Sequence, residues 1–587
     1  MPASAILTLA VLAAAIFLIV REVAPPDAML FAALVAFMAA GVVTPEQGLA
    51  GFGNPAVATV GALFIVAAGM RSTGVLENAS RAILGRGSAI GRALFRLTSS
   101  SAVLSAFLAN TPVVAMGVPT VTAWAKRNQV SPSRLLIPLS YASILGGTCT
   151  LIGTSTNLVS HGLLQRAGMP GFGFFELSAI GVPCALLGIA YLSRVAPRLL
   201  ADRVPIRTVG EDVRRYLVEM RLTDPSPLIG RTIVEAGLRH LPGLYLVRVE
   251  RPTGIISPVG PEVRLLSGDL LTFAGVVESI VDLRKFDGLT PAASTRPPDT
   301  SRWELHEAVI SPGSPLVGSN IRDASFRGRY NAAVMAVHRH GERIEGRIGD
   351  IVLRPGDTLL IEAAQAFSIA FRDSPDFYLV SRVGDSASPR RDRAMVAVLI
   401  LMAMVSLAAL DVVPIVVSAI GAAMAMVVVG CLSLGEAKRS IDWSVLVTIG
   451  SALGIATALE ASGAAAILAQ GVAGAGASFG PVGVLGALIA GALLLNALVA
   501  NAAAIAIMFP VAVSAAAGLG LDPRPFVVGV TIGAALSMST PIYQTNLIVY
   551  GPGGYRFFDF TRVGVPLQIL LAIVCVLLIP LVWPMTG

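Results

Sequence analysis

The chain has 587 residues, 55% of them hydrophobic and 13% charged, with a formal net charge of +7. Soluble globular chains carry about 25% charged residues, so the deficit excludes a wholly soluble protein and places most of this chain in lipid. The positive balance comes without a basic stripe interleaved with aromatics, which argues against a nucleic-acid partner; Lys and Arg in short loops set membrane orientation instead.

Hydrophobic segments run over roughly 4–20, 28–43, 56–70, 93–123, 133–163 and 176–197. The first, Ala5 to Val20, has no basic residue before it and no small-residue cleavage site, so it reads as a retained helix and not a signal peptide. From about 203 to 392 the composition turns charged, with strand-like alternation and Pro/Gly turns. Hydrophobic segments resume at roughly 394–411, 413–432, 443–460, 481–517, 525–550 and 563–584. The expected domains are a first transmembrane repeat over 1–202, small α+β units over 203–288 and 303–392 joined by a Pro-rich linker over 289–302, and a second transmembrane repeat over 393–587. Cys149, Cys184, Cys431 and Cys575 form no CxxC pair and read as small apolar packing residues. The histidines show no zinc spacing, and His338 and His340 read as surface residues of a strand.

Loop charge orders these segments. Arg21, Arg71, Arg81, Arg86, Arg92, Lys126, Arg127 and Arg134 share one set of loops with Lys438, Arg439, Arg556 and Arg562; the other set holds Arg166 and Arg524. The positive-inside rule puts the first set in the cytoplasm of an inner (plasma) membrane protein, with both termini extracytoplasmic and the insert cytoplasmic. For the basic loops to share a side, 93–123 and 481–517 must each be a re-entrant hairpin. Five crossings per half then remain, and an odd number inverts the second half relative to the first, an architecture of secondary transporters.

Spaced matches support the repeat. Glu46 matches Glu436, Asn110 matches Asn501 and Asn157 matches Asn546, at offsets of 390, 391 and 389. The insert is duplicated too: Ser226-Pro227-Leu228-Ile229-Gly230 recurs as Ser314-Pro315-Leu316-Val317-Gly318, and Gly268-Asp269 as Gly356-Asp357, both at an offset of 88. A helix-like stretch and alternating strands are expected between these motifs.

Each half holds two polar, helix-breaking stretches: Ala109-Asn110-Thr111-Pro112 and Gly153-Thr154-Ser155-Thr156-Asn157, then Ala500-Asn501-Ala502 and Ser539-Thr540-Pro541 with Gln544-Thr545-Asn546. Unwound backbone at membrane depth is tolerated where it is buried in protein or lines a cavity. Half-helix N-termini there favour an anion, and free carbonyls with Asn, Ser and Thr oxygens suit a small cation such as Na⁺. No Asp or Glu falls in the middle of a hydrophobic segment, which counts against a proton or cation antiporter. No TVGYG filter and no Walker A motif occur, which counts against a potassium channel and a P-loop ATPase.

The run Ser131-Pro132-Ser133-Arg134-Leu135-Leu136-Ile137-Pro138-Leu139-Ser140-Tyr141, with Leu145-Gly146-Gly147-Thr148-Cys149-Thr150-Leu151-Ile152-Gly153-Thr154-Ser155-Thr156-Asn157-Leu158, resembles the divalent anion:sodium symporter (DASS) family over both membrane halves. The insert resembles two tandem TrkA-C (RCK C-terminal) domains through its SPLxG and GD motifs. The resemblance implies an all-α polytopic membrane protein, an elevator-type homodimer embedded in membrane lipid and no enzyme, importing sulfate or a di- or tricarboxylate with Na⁺ as coupling ion. Ser105, Asn110 and Gly153 would line one sodium site, and Asn496, Asn501 and Ser539 the other. Asn110, Thr111, Thr154, Asn501, Thr540 and Pro541 would face the small anionic substrate. The family's Ser-Asn-Thr signature departs at Ala109, Ala500 and Ala502, each a lost hydroxyl, and the balance tilts toward sulfate or a similar oxyanion. The TrkA-C-like domains would bind a cytosolic nucleotide or other small ligand, or serve dimer contacts alone. Competing readings are a di-/tricarboxylate symporter of the same fold, an ion antiporter and an RCK-gated channel.

Overall fold

The computed structural model describes residues 2–21, 23–75, 90–128, 130–200, 217–238, 244–251, 254–256, 259–260, 262–275, 287–291, 303–339, 342–344, 348–364, 366–371, 374–382 and 390–586. The expectations for Arg81, Arg86, His340 and the linker beyond 291 lie outside them. The chain forms two compact units, one of Met1–Arg203 with Ser388–Gly587, the other of Val204–Ala387.

The first unit is helical. Its first half runs α1 (Ala3–Val20), α2 (Pro26–Ala39), α3 (Pro45–Leu49), α4 (Pro55–Ser72), α5 (Ile90–Phe107), α6 (Asn110–Arg127), α7 (Ser133–Gly147), α8 (Ser155–Arg166) and α9 (Ser178–Arg194). The second runs α10 (Ala394–Ala409), α11 (Ile415–Val428), α12 (Leu434–Ser440), α13 (Trp443–Ala461), α14 (Ala464–Gly476), α15 (Gly480–Asn496), α16 (Asn501–Leu519), α17 (Pro523–Ala535), α18 (Gln544–Tyr550) and α19 (Phe557–Val582). The order of the first half recurs in the second, with α14 falling opposite residues outside the described set. That Ala/Gly-rich helix was not among the expected segments. Among the described residues, five helical stretches are long and apolar enough to cross a bilayer, and α14 with α15 is a further apolar pair bent by 118°. One of the five is α16, which the loop charges assign to a re-entrant hairpin, so length alone does not separate hairpin from span.

Local chemistry repeats with the helices. Thr44 and Gln47 form a capping box at α3, with hydrogen bonds of 3.1 and 3.3 Å; Ser433 and Glu436 form one at α12, at 2.6 and 3.2 Å. The counterpart of Glu436 is therefore Gln47, and Glu46 stands one position too early: the pairing expected from sequence is corrected by one residue. Contacts between the halves also recur with the halves exchanged. Helix α2 packs on α13 and α11 on α4; α8 packs on α16 and α18 on α6; α9 packs on α19. In that last contact Cys184 and Cys575, 391 positions apart, face each other with sulfurs 3.8 Å apart, both buried.

The second unit holds two five-stranded antiparallel sheets of one topology. Strands β1 (Leu217–Leu222), β2 (Leu244–Arg251), β3 (Gly254–Ile256), β4 (Leu270–Gly275) and β5 (Leu289–Pro291) lie in the order β3-β2-β4-β1-β5. Strands β6 (Trp303–Ile310), β7 (Ala332–Arg339), β8 (Glu342–Arg343), β9 (Thr358–Ala364) and β10 (Phe377–Arg382) lie in the order β10-β6-β9-β7-β8, the same order read in reverse. The first residues of the expected linker thus form a strand, β5, paired with β1. The expected helix-like stretches are mostly turns, with one five-residue helix at Phe326–Tyr330.

The Gly-Asp motifs have a structural role. Gly268 and Gly356 take φ of +84° and +83°, a conformation that glycine adopts without a Cβ penalty. Asp269 and Asp357, each 1% exposed, then receive two hydrogen bonds from Arg251 and Arg339 respectively, at 2.8–2.9 Å. Each aspartate also accepts a backbone N–H, from Leu266 or Arg354, at 2.8 Å. Glu362 on β9 lies in the field of Arg248 and Glu250 on β2; burial pushes the Glu362 carboxyl above the usual carboxylate range, with Arg248 opposing.

Candidate functional site

Helix α5 ends at Phe107 and α6 begins at Asn110, leaving a two-residue break. Across it the Ser105 hydroxyl donates to Asn110 Oδ1 (2.7 Å) and lies 2.8 Å from the Ser143 hydroxyl on α7. Ser143 in turn donates to the Asn110 carbonyl (3.2 Å). Helix α7 stops at Gly147, and the chain is irregular to Thr154 before α8. Asn157 holds this break open by donating to the carbonyls of Gly147 (3.1 Å) and Thr150 (2.7 Å). A Cβ on Gly147 would stand 2.5 Å from Asn110 Oδ1 and 3.1 Å from the Gly153 carbonyl, so only glycine lets the two breaks approach. Ser105, Asn110 and Gly153, singled out in sequence, are thereby brought together, with Ser143 and Gly147 between them.

The second half builds a related cluster from different atoms. Asn546 donates to the carbonyls of Ser537 (2.9 Å) and Thr540 (2.8 Å), as Asn157 does to Gly147 and Thr150. Ser537 therefore stands where the first half has Gly147. Its hydroxyl lies 2.5 Å from Asn501 Oδ1 and 2.7 Å from Asn496 Oδ1. One hydroxyl proton faces two acceptors, while Asn496 Nδ2 and Asn501 Nδ2 are buried without a hydrogen-bond partner. Such a concentration of oxygen lone pairs suits a small cation. The Ser539 carbonyl instead accepts from Thr561 (3.0 Å), and Ser539 and Thr540 line an apolar cleft of about 740 Å³ between α15 and α19. Thr154 and Pro541 are buried, and Thr111 and Thr540 half-buried.

The clusters are tied across the halves. Asn110 Nδ2 donates to the Tyr543 hydroxyl (3.1 Å), and Ser140 on α7 donates to Asn546 Oδ1 (2.6 Å). Thr154 and Ala500, the N-cap residues of α8 and α16, make no side-chain cap bond, which leaves first-turn N–H groups turned toward the breaks. Among the described residues of this unit, the buried polar side chains include no Asp, Glu, Lys, Arg or His. Ser143, Ser537 and Tyr543 were not candidates in the sequence. For Ser537 a signal existed: carrying the Asn157-to-Asn546 offset back to Gly147 lands within one residue of it.

A family model described as citrate transporter matches residues 16–533. The chain belongs to the citrate transporter family. Within and around that family, it is 34% identical to an uncharacterized transporter of Synechocystis sp. over 98% of this chain and 97% of the relative. It is 28% identical to sodium/sulfate cotransporter 1 of Chlamydomonas reinhardtii, over 94% of this chain and 86% of the relative. A sodium-dependent dicarboxylate transporter of Staphylococcus saprophyticus is 26% identical over 34% of this chain and 42% of its own length. This citrate transporter family member is thus a membrane transporter, with its polar clusters inside a helical unit.

Proposed function

We propose that this chain imports a divalent oxyanion, sulfate foremost, coupled to Na⁺. The observation that carries the reading is the pair of neutral oxygen clusters at repeat-related helix breaks, linked by Asn110 and Tyr543. Ser105, Asn110 and the Gly153 carbonyl form one sodium site; Asn496 and Asn501, with Ser537 in place of the expected Ser539, form the other. The uncapped starts of α8 and α16 face the anion with Thr111, Thr154 and Pro541 around it, while Thr540, also expected there, lines the apolar cleft instead. With no buried carboxylate among the described residues of the helical unit to carry a proton, charge balance falls to the cation. Sulfate is favoured because the relatives named as sodium/sulfate cotransporters align along nearly the whole chain, the one named for dicarboxylates along a third of it.

The contacts that recur on exchanging the halves support an inverted repeat of the DASS type, moving as an elevator within a homodimer in the plasma membrane. The two sheets of one topology support tandem TrkA-C-like domains that regulate transport through a cytosolic nucleotide or similar ligand. A second reading, citrate or another carboxylate as substrate, is favoured by the family description.

Uptake of labelled sulfate, succinate and citrate into proteoliposomes, with an inward Na⁺ gradient or a pH gradient, tests this. Na⁺-driven sulfate uptake is expected. Uptake of carboxylates alone would establish the second reading, and the absence of any Na⁺-dependent uptake would overturn both.

A further inference from the structure

The cleft between α15 and α19 is unsuited to a divalent anion. Its walls are apolar residues, among them Leu493 and Leu494 on α15 and Phe558, Ile569 and Ile573 on α19. Several of these side chains are strongly exposed: Leu494 by 69%, Phe558 by 77% and Leu577 by 63%. A patch of this kind on a membrane-crossing helix faces hydrocarbon, not water. The lining runs from Phe557 to Leu577, a helical rise of about 30 Å, which matches the depth of a bilayer core.

Two further features separate this cleft from an ordinary lipid-facing groove. The first is charge. At 100° per residue, Arg562 falls on the same stripe of α19 as Phe558, Val565, Ile569 and Ile573, and it is exposed. It lies beside the lining residue Thr561, one turn in from Phe558, and Phe558 marks the end of the lining that the loop charges place toward the cytoplasmic surface, where anionic headgroups lie. The second is the inner wall. There Thr561 donates to the Ser539 carbonyl, and Gln568 donates to the Leu536 carbonyl. Both lining residues hold the broken segment between α17 and α18, the segment that carries Ser537.

We propose that the α15–α19 cleft is a binding site for an anionic phospholipid, with an acyl chain along the cleft, its phosphate on Arg562, and its bulk bracing the 536–543 break from behind. The site rests on the membrane orientation above and is independent of which anion is carried. A lipid seated there keeps Thr561 and Gln568 pressed toward the carbonyls they hold, so the chain retains its tightest geometry in anionic bilayers.

The test uses the full chain and reads lipid binding and stability, not transport. The purified protein is placed in nanodiscs of phosphatidylcholine with or without a quarter phosphatidylglycerol, and retained lipid is read by native mass spectrometry together with thermal stability. One basic residue near an anionic surface corresponds to about a fivefold preference for phosphatidylglycerol. That preference, and a higher melting temperature with it, is expected for the native chain and lost in R562Q. A preference that is absent, or that persists unchanged in R562Q, overturns the proposal. A572F narrows the cleft and should lower lipid retention. Should that variant misfold, phosphatidylglycerol with a photoreactive acyl chain decides on the native chain: crosslinks concentrated in 490–497 and 561–577 support the site, and crosslinks spread equally over α1 and α10 refute it.

Discussion

Replacing Ser105 with alanine removes a single oxygen from the centre of the first cluster. Ser105 is fully buried, 2.7 Å from Asn110 Oδ1 and 2.8 Å from Ser143 Oγ. In the empty site the loss strips a partner from each of these oxygens, at about 1–3 kcal/mol per group left unsatisfied. With Na⁺ seated, the missing oxygen faced a charge, and such interactions contribute about 1.5–3 kcal/mol. At tenfold per 1.4 kcal/mol, the half-saturating Na⁺ concentration rises about 10- to 100-fold. The assay is the initial rate of anion uptake into proteoliposomes as external Na⁺ is varied. S100A is the control, because Ser100 on the same helix bonds to the Leu97 carbonyl one turn back (3.0 Å) and should leave the Na⁺ curve in place. A folded S105A protein with native Na⁺ dependence would refute the assignment of the first cluster to a cation.

Three further outcomes follow from distances already given. G147A puts a methyl 2.5 Å from Asn110 Oδ1 and should abolish uptake while leaving expression and monodispersity near native; uptake within twofold of native would show that the two breaks need not touch. D357A leaves Arg339 without its bidentate partner and should lower the unfolding free energy of the insert by about 3 kcal/mol, read by hydrogen exchange in β6, β7 and β9. Glu362 sets a pH dependence. Its folded-state pKa is raised by burial, so its contribution is complete below the ordinary carboxylate range and declines as pH rises through the folded value. The insert should therefore lose protection as pH rises above the ordinary carboxylate range, and E362Q should flatten that loss; an unchanged slope in E362Q would place the titrating group elsewhere.

Much of the fold was legible because duplication doubles every signal. Asn110 with Asn501 and Asn157 with Asn546 mark the same breaks in both halves, and the structure finds helices starting at or just before each. What escaped was set by contacts distant in sequence. Ser143 and Tyr543 reach the first cluster from 33 and 433 positions away, which no local pattern reports. Ser537 was hidden because its counterpart is a glycine: the second half moved its hydroxyl from the α5 position, where Ser105 aligns with Asn496, to the α7 position. The hydroxyls missing at Ala109, Ala500 and Ala502 thus do not leave the second cluster without one. The capping boxes teach the converse. Pairing Glu46 with Glu436 by residue type is off by one, since a helix cap is defined by the backbone N–H it receives and a glutamine fills that role as well as a glutamate.

The contact between Cys184 and Cys575 has a consequence of its own. Equivalent positions in two halves can touch only where the axis relating those halves passes between them. Seen as two separate chains, each holding one half, this is a residue meeting its own copy, the signature of an isologous interface. Each half offers one cysteine to this contact, so a change at either residue alters the same seam. Splitting the polypeptide within 204–387 and co-expressing the parts should accordingly let α9 and α19 find each other again.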